Sequence, residues 1–285
     1  MTYAFYTGFS EMMRQRGAAE AAKYAASLGF SAVEPIISGT PAKANCPADL
    51  REAEEAGKIL ADSGIRVACY SAGATLWGPN ADAVEETLKT HVRCAAAMGS
   101  PYFHHTLILS LTMNENLPSY DEALETVLPR ALRISQLAES LGVVTLYEPQ
   151  GMFFNGVDGL GTFYRELRRL TGNVGICGDV GNPLFADADP VKVFRAFAAD
   201  IRHVHIKDYI RRDDAPADPK GWYITRSGKH WLRDTVIGTG VIDLAGCMDA
   251  LKSVGYSGAI AFESAPEPFA DGVRVGMELL GSLGM

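Results

Sequence analysis

Eight short apolar runs recur along the chain, each followed by a longer stretch of helical periodicity. This alternation restricts the fold more than any other feature of the sequence. The runs are YAFYTGF (3–9), SAVEPII (31–37), IRVACYS (65–71), PYFHHTL (101–107), VVTLYEP (143–149), NVGICGDV (173–180), IRHVHIKD (201–208) and GAIAFES (258–264). Amphipathic patterns lie between them at 17–28, 48–63, 81–98, 120–140, 158–171, 189–199 and 243–254, and a closing helix is expected near 269–282. Several end in SLGF, DSGI, AMGS, SLGV or SVGY, glycine helix stops that lead into the next strand. Runs that stay apolar instead of alternating suit strands buried on both faces, which predicts parallel pairing.

Eight such units in 285 residues, with no Pro/Ser-rich linker to divide them, predict one closed (β/α)8 TIM barrel over 1–285. A doubly wound open sheet is the alternative. One connection, 209–241, is too long for a plain link inside a compact domain. It is expected to be a lid or a subunit contact.

Composition removes several functions. A formal net charge of −8 argues against binding a phosphodiester backbone, so no nucleic-acid partner is expected. No apolar stretch is long enough to cross a bilayer, and the N-terminus lacks the basic-then-apolar pattern of a signal peptide. The five cysteines (46, 69, 94, 177 and 247) are scattered, with no C-x-x-C pair, as expected of reduced, mostly buried thiols in a cytoplasm. Assembly into a homodimer or homotetramer is left open.

Chemistry in such a barrel is built at the C-terminal ends of the strands. The fifth run ends in Glu148, the sixth in Asp179, the seventh carries His205 and the eighth ends in Glu263. An acidic residue closing a buried strand is costly without a compensating partner. A lone one is ordinarily a helix cap or half of a salt bridge, and a lone strand histidine is ordinarily a core residue. Four on successive strands converge on one point, and three carboxylates with an imidazole suit a divalent cation. Mn2+ is the first expectation, with Mg2+, Co2+ or Zn2+ also accepted.

Other residues near the rim are weaker candidates. His104 and His105 close the fourth run, so one should face the mouth and meet a substrate. Lys207 shares strand parity with His205 and could neutralise an oxyanion or sit in a buried salt bridge. Glu34 could meet a sugar hydroxyl, although a structural ion pair is the plainer reading; His203 reads as core or as support behind the site. Gly238–Gly240 is a short glycine pattern without the length of a nucleotide fingerprint. The 209–241 segment holds Trp222 and Trp231 beside Arg211, Arg212, Lys220, Arg226, Lys229 and Arg233, an aromatic and basic content suited to packing on a sugar or aglycone.

The motifs LGFSAVEP, LYEPQ, GICGDVGN, HVHIKDY, GTGVIDL and AFES together resemble the sugar phosphate isomerase/epimerase superfamily, the xylose-isomerase-like barrels. Ketose 3-epimerases, hydroxypyruvate isomerases and inosose dehydratases belong to it. The resemblance implies a metal held by Glu148, Asp179, His205 and Glu263, with Glu148 and Glu263 doubling as the acid/base pair of an isomerase or epimerase. A metal-stabilised enediolate of a small sugar or sugar derivative would be the intermediate. Arg211 falls where ketose 3-epimerases carry a substrate-binding arginine. Three positions depart from that pattern: Asn182 stands for a histidine, Phe154 for a glutamate and Thr239 for the glutamate of a GEG turn. Asn182 thus becomes a candidate substrate contact. The departures keep open a lyase on the same scaffold, a keto-inositol dehydratase or an enzyme eliminating an aglycone from a 3-keto glycoside. A DNA-repair endonuclease would need more histidines than six and a less acidic surface, and a silent sugar-binding barrel would be expected to lose one of the two glutamates.

Overall fold

The computed structural model describes residues 1–37, 48–109, 118–264 and 268–285. Twelve strands appear among them: β1 (Thr2–Phe5), β2 (Ala32–Val33), β3 (Arg66–Val67), β4 (Tyr70–Ala72), β5 (Tyr102–His105), β6 (Val144–Tyr147), β7 (Val174–Asp179), β8 (Ile201–Ile206), β9 (Asp208–Arg212), β10 (Tyr223–Ile224), β11 (Trp231–Thr235) and β12 (Ala259–Phe262). The helices are α1 (Phe9–Arg16), α2 (Ala18–Ser27), α3 (Leu50–Asp62), α4 (Ala81–Ala97), α5 (Tyr120–Ser140), α6 (Gly156–Leu170), α7 (Pro190–Phe197), α8 (Leu244–Lys252) and α9 (Phe269–Ser282).

The main sheet runs β3-β2-β1-β12-β8-β7-β6-β5-β4, parallel throughout. Its two outer members, β3 and β4, are halves of one strand, so the eight-fold ring closes on itself through the break at Ala68 and Cys69. The protein is a single-domain TIM barrel. Local sequence explains several helix starts. Ser119 and Glu122 form a reciprocal capping box on α5, and the Asp49 and Asp189 carboxylates accept the first free N–H groups of α3 and α7.

Two elements depart from the sequence expectation. The first run stops at Phe5, and Gly8, at φ 89°, turns the chain into α1. Its buried Phe9 and Met13, one helical turn apart, are the readable signal. The long connection carries strands of its own. β9, β11 and β10 form an antiparallel sheet in which Trp231 faces Arg212 and Leu232 faces Arg211. Asp187, held at φ 56°, fastens its far turn by accepting the Thr225 and Ser227 hydroxyls and the Ser227 N–H. Phe185 adds edge-on ring contacts to Tyr209 and Tyr223.

The base of this insertion is fixed by one buried carboxylate. Asp208 accepts N–H groups from Tyr209 (2.9 Å), Gly238 (3.0 Å), Gly240 (2.8 Å) and Ile242 (3.2 Å). A Cβ on Gly240 would lie 2.2 Å from Asp208 Oδ1, so the glycine permits the close approach. Asp208→Ala leaves these donors without their acceptor, and an unfolding free energy lower by about 3 kcal/mol or more is expected in urea titration. A loss below about 1 kcal/mol would show that water or a rearranged loop takes over the role.

Inside the ring the side chains follow a simple rule. Ala4, Ala32, Cys69, Leu146, Cys177 and Ala261 occupy the lumen in two clusters separate from the main core between strands and helices. Two residues beyond each of them, on the same strand face, come Tyr6, Glu34, Ser71, Glu148, Asp179 and Glu263. The lower residues are mostly small, which leaves space for the polar layer above them. That layer is the site.

Candidate metal centre

His203, His205 and Lys207 share the lumen-facing parity of β8 and its extension. Asp179 of β7 pairs in register with His205, as does Ala261 of β12. Phe262 faces Ile206, so the next residue, Glu263, falls beside Lys207. Glu148 enters from β6, just before Pro149 ends the strand. Each of Glu148, Asp179, His205 and Glu263 offers a ligand atom within 4.8 Å of the others.

His205 Nδ1 lies 3.1 Å from Glu263 Oε2, 3.3 Å from Glu148 Oε2 and 3.8 Å from Asp179 Oδ2. Asp179 uses its other oxygen to accept the N–H groups of Gly181 (2.8 Å) and Asn182 (2.6 Å). That turn fixes the rotamer and leaves Oδ2 directed at the cluster. Asp179 Oδ2 and Glu263 Oε2 are buried without a well-directed hydrogen bond, although Lys207 Nζ is 2.9 Å and 2.8 Å from them. Buried carboxylate oxygens that converge without full satisfaction are what a cation would complete, and one imidazole with three carboxylates is a donor set suited to Mn2+, Mg2+ or Zn2+. The residues fit a divalent ion.

The surrounding groups hold these donors. Asn182 donates from Nδ2 to Glu148 Oε2 at 3.3 Å and accepts Lys207 Nζ on Oδ1 at 3.0 Å. His104 Nε2 stands 3.2 Å from Glu148 Oε1. Tyr6 stacks on His205 with ring centroids 4.9 Å apart. Gly181 is needed for Lys207 to pass, since a Cβ there would come within 2.6 Å of the lysine Cγ. Glu263 is the one ligand with appreciable exposure, 27% of its side chain against 4% for Glu148.

Electrostatics separate the acids. Burial pushes Asp179 up to about 7, against the pull of Lys207 and with the help of Glu263 and Glu148. Burial also disfavours the Glu148 anion, but His104 and His205 outweigh it and hold the carboxyl below its ordinary range. Glu263 is likewise lowered, with Lys207 and His205 overcoming its burial. Lys207 itself is raised, because Asp179 and Glu263 more than offset its loss of water.

The structure sorts the remaining candidates. His104 points into the lumen, but its neighbour His105 turns the other way and is not at the mouth. It lies edge-on to Tyr147, directs Nδ1 at the Thr106 carbonyl, and is pushed down to about 4 by burial. The period of two allows only one of an adjacent pair to face inward. Phe154 is core, edge-on to Phe163. Arg211 is exposed on β9 and lines a depression with Asp187, Asp189 and His230. Trp222 lies against Arg233 and Arg212, with guanidinium carbons 4.8 and 5.8 Å from the ring centre. Trp231 is half-buried on β11. Among the described residues, Arg211, Trp222 and Trp231 make no hydrogen bond, ion pair or ring contact with the cluster. Sequence reasoning misses Tyr6 and Ser71, both two residues beyond a small lumen residue. Cys46 lies outside the described residues; Cys69, Cys94, Cys177 and Cys247 are free and buried.

Residues 22–283 match the family model described as Xylose isomerase-like TIM barrel. The chain belongs to that family. An inosose dehydratase from Lacticaseibacillus casei is 30% identical over 95 residues, a segment spanning 33% of this chain and 32% of the relative. The barrel superposes on L-ribulose 3-epimerase with a TM-score of 0.73 at 18% identity, covering 99% of this chain and 94% of that one. It superposes on a xylose isomerase-like barrel from Mycobacterium smegmatis in complex with magnesium with a TM-score of 0.71 at 17% identity, covering 99% and 95%. Among the described residues, no helix is long and apolar enough to cross a membrane.

Proposed function

We propose that this xylose isomerase-like barrel is a divalent-metal-dependent isomerase or epimerase of a small sugar or sugar derivative. The observation that carries the reading is the convergence of Glu148, Asp179, His205 and Glu263, with buried oxygens of Asp179 and Glu263 incompletely satisfied. Mn2+ is the first candidate, and Mg2+, Co2+ and Zn2+ suit the same donors. When bound, the cation supplies Lewis-acid polarisation of a substrate carbonyl and its neighbouring hydroxyl.

The acid/base work falls to Glu148 and Glu263. They stand on β6 and directly after β12, with β7 and β8 between them in the ring, and so approach a substrate from two sides. One removes the proton from the carbon beside the carbonyl, leaving an enediolate. The other returns a proton to the opposite face, which inverts the centre. Return to the neighbouring carbon interconverts aldose and ketose. Lys207 adds fixed positive charge beside Glu263. The hairpin bearing Arg211, Trp222 and Trp231 is proposed to govern which substrates reach the rim.

A second reading, a lyase, is favoured by the segment shared with inosose dehydratase and by Asn182 bracing Glu148. The same carbanion would then expel water or an aglycone from the β carbon. Incubating metal-loaded protein with a panel of ketoses and keto-inositols in D2O separates the two. Deuterium uptake beside the carbonyl without loss of a fragment is the expected result. Release of water or aglycone would select the lyase, and neither outcome with any substrate would remove both.

A further inference from the structure

We propose that Glu34 is a positioning residue for the cation site: it selects which nitrogen of His205 faces the cation and steadies Glu148 at the same time. This rests on the metal-dependent reading above. Glu34 sits just beyond β2 in the lumen and is fully buried, where an uncompensated carboxylate is costly. Its compensation comes entirely from groups that lead to the cluster or lie beneath it. Oε1 is 2.9 Å from His205 Nε2 and also accepts the Ser71 hydroxyl, while Oε2 is 2.6 Å from His203 Nε2.

The consequence follows from what each group can donate. An ionised carboxylate only accepts, so His205 must present a proton on Nε2. A neutral imidazole then has its lone pair on Nδ1, the nitrogen that faces the carboxylates of Glu263, Glu148 and Asp179. A metal-binding histidine needs that lone pair, and its other N–H is ordinarily fixed by an acceptor behind it. Tyr6, stacked on the ring, opposes the flip that would put ring carbons where the two nitrogens now stand.

The second arm runs through Ser71. Having given its proton to Glu34, the Ser71 hydroxyl accepts from His104 Nδ1 at 2.8 Å. His104 is thereby held with Nε2 3.2 Å from Glu148 Oε1, where it pairs with the carboxylate when the ring carries its second proton. One carboxylate thus orients a ligand directly and a ligand that doubles as acid/base through two intermediates. His203, on the other oxygen, touches none of the four donors except through the ring of His205 and serves as the internal comparison.

The test measures cation binding, which needs no substrate. Mn2+ affinity is determined by calorimetry for wild type, Glu34→Gln and His203→Gln, with the visible spectrum of each Co2+-loaded protein. In Glu34→Gln the new amide either sets an N–H group against an imidazole N–H group or obliges His203 to move its proton to Nδ1, and in both cases the negative charge that holds the His205 proton on Nε2 is gone. That variant is therefore expected to bind Mn2+ about 10–100-fold more weakly and to shift the cobalt bands. His203→Gln is expected to change affinity less than about threefold, and the metal-free variants should keep the wild-type far-ultraviolet dichroism. In parallel, 15N NMR of wild-type protein loaded with diamagnetic Zn2+ should find the His205 proton on Nε2 and Nδ1 unprotonated, a readout that survives if a variant fails to fold. Wild-type affinity with an unchanged cobalt spectrum in Glu34→Gln, or a His205 proton on Nδ1 in the Zn2+-loaded protein, would overturn the proposal. Wild-type protein that binds no cation would instead remove the metal-dependent reading itself.

Discussion

Glu148→Gln and Glu263→Gln are each expected to slow turnover of a ketose substrate by about 10²–10⁴-fold, the usual cost of losing one acid/base partner. Glutamine keeps an oxygen that can face a cation but cannot take up or release a proton at the pH of catalysis. Mn2+ affinity should therefore fall less than the rate. The two variants should also differ. Glu148 is enclosed by His104, His205 and Asn182, so its amide must disturb at least one of them. Glu263, more open to the mouth, can be replaced with less rearrangement. Rapid single-turnover exchange in one variant, with slow turnover in both, would identify the residue that abstracts the proton. A wild-type rate in either variant would take that residue out of the mechanism.

Asp179→Asn and His205→Ala are expected to weaken cation binding by about 10²-fold or more, beyond the loss caused by displacing a supporting residue. Asp179→Asn removes the negative charge opposite Lys207, and with its oxygen kept by the two backbone N–H groups it turns an NH2 towards Lys207 and the cluster in place of Oδ2. His205→Ala removes the nitrogen donor and empties the space under Tyr6. For wild type, a cation at about 100 times its dissociation constant should stabilise the fold by about 2.7 kcal/mol, a rise in melting temperature of roughly 5 °C. Both variants should lose that rise at the same cation concentration. An equal rise in wild type and Asp179→Asn would place the stabilising ion elsewhere.

The barrel is legible because period and punctuation agree. The apolar runs and the glycine stops mark strand and helix in the order that the ring requires, and α5 coincides with its expected span of 120–140. α1 is hidden because the run YAFYTGF reads continuously past Tyr6, and only the left-handed Gly8 ends the strand there. The insertion stands out by its length and its aromatic and basic content, but its strands do not, because they are short and polar and pair with one another instead of with the barrel. At the site, Glu148, Asp179, His205 and Glu263 stand out as ligand types at strand ends. Their supports do not. Tyr6 and Ser71 carry no chemical signature, and Glu34 gains its meaning from partners 37, 169 and 171 residues away. His105 cannot be told from His104 by sequence, because parity is fixed only once a lumen residue of β5 is known.

The most direct test of the account is an anomalous-scattering map from crystals of the protein soaked in Mn2+. The account predicts one strong peak at the barrel mouth, with an oxygen or nitrogen from each of Glu148, Asp179, His205 and Glu263 within about 2.0–2.6 Å. The histidine ligand should be Nδ1. A peak away from these residues, or none at saturating Mn2+ with the cluster held by Lys207 alone, would contradict it.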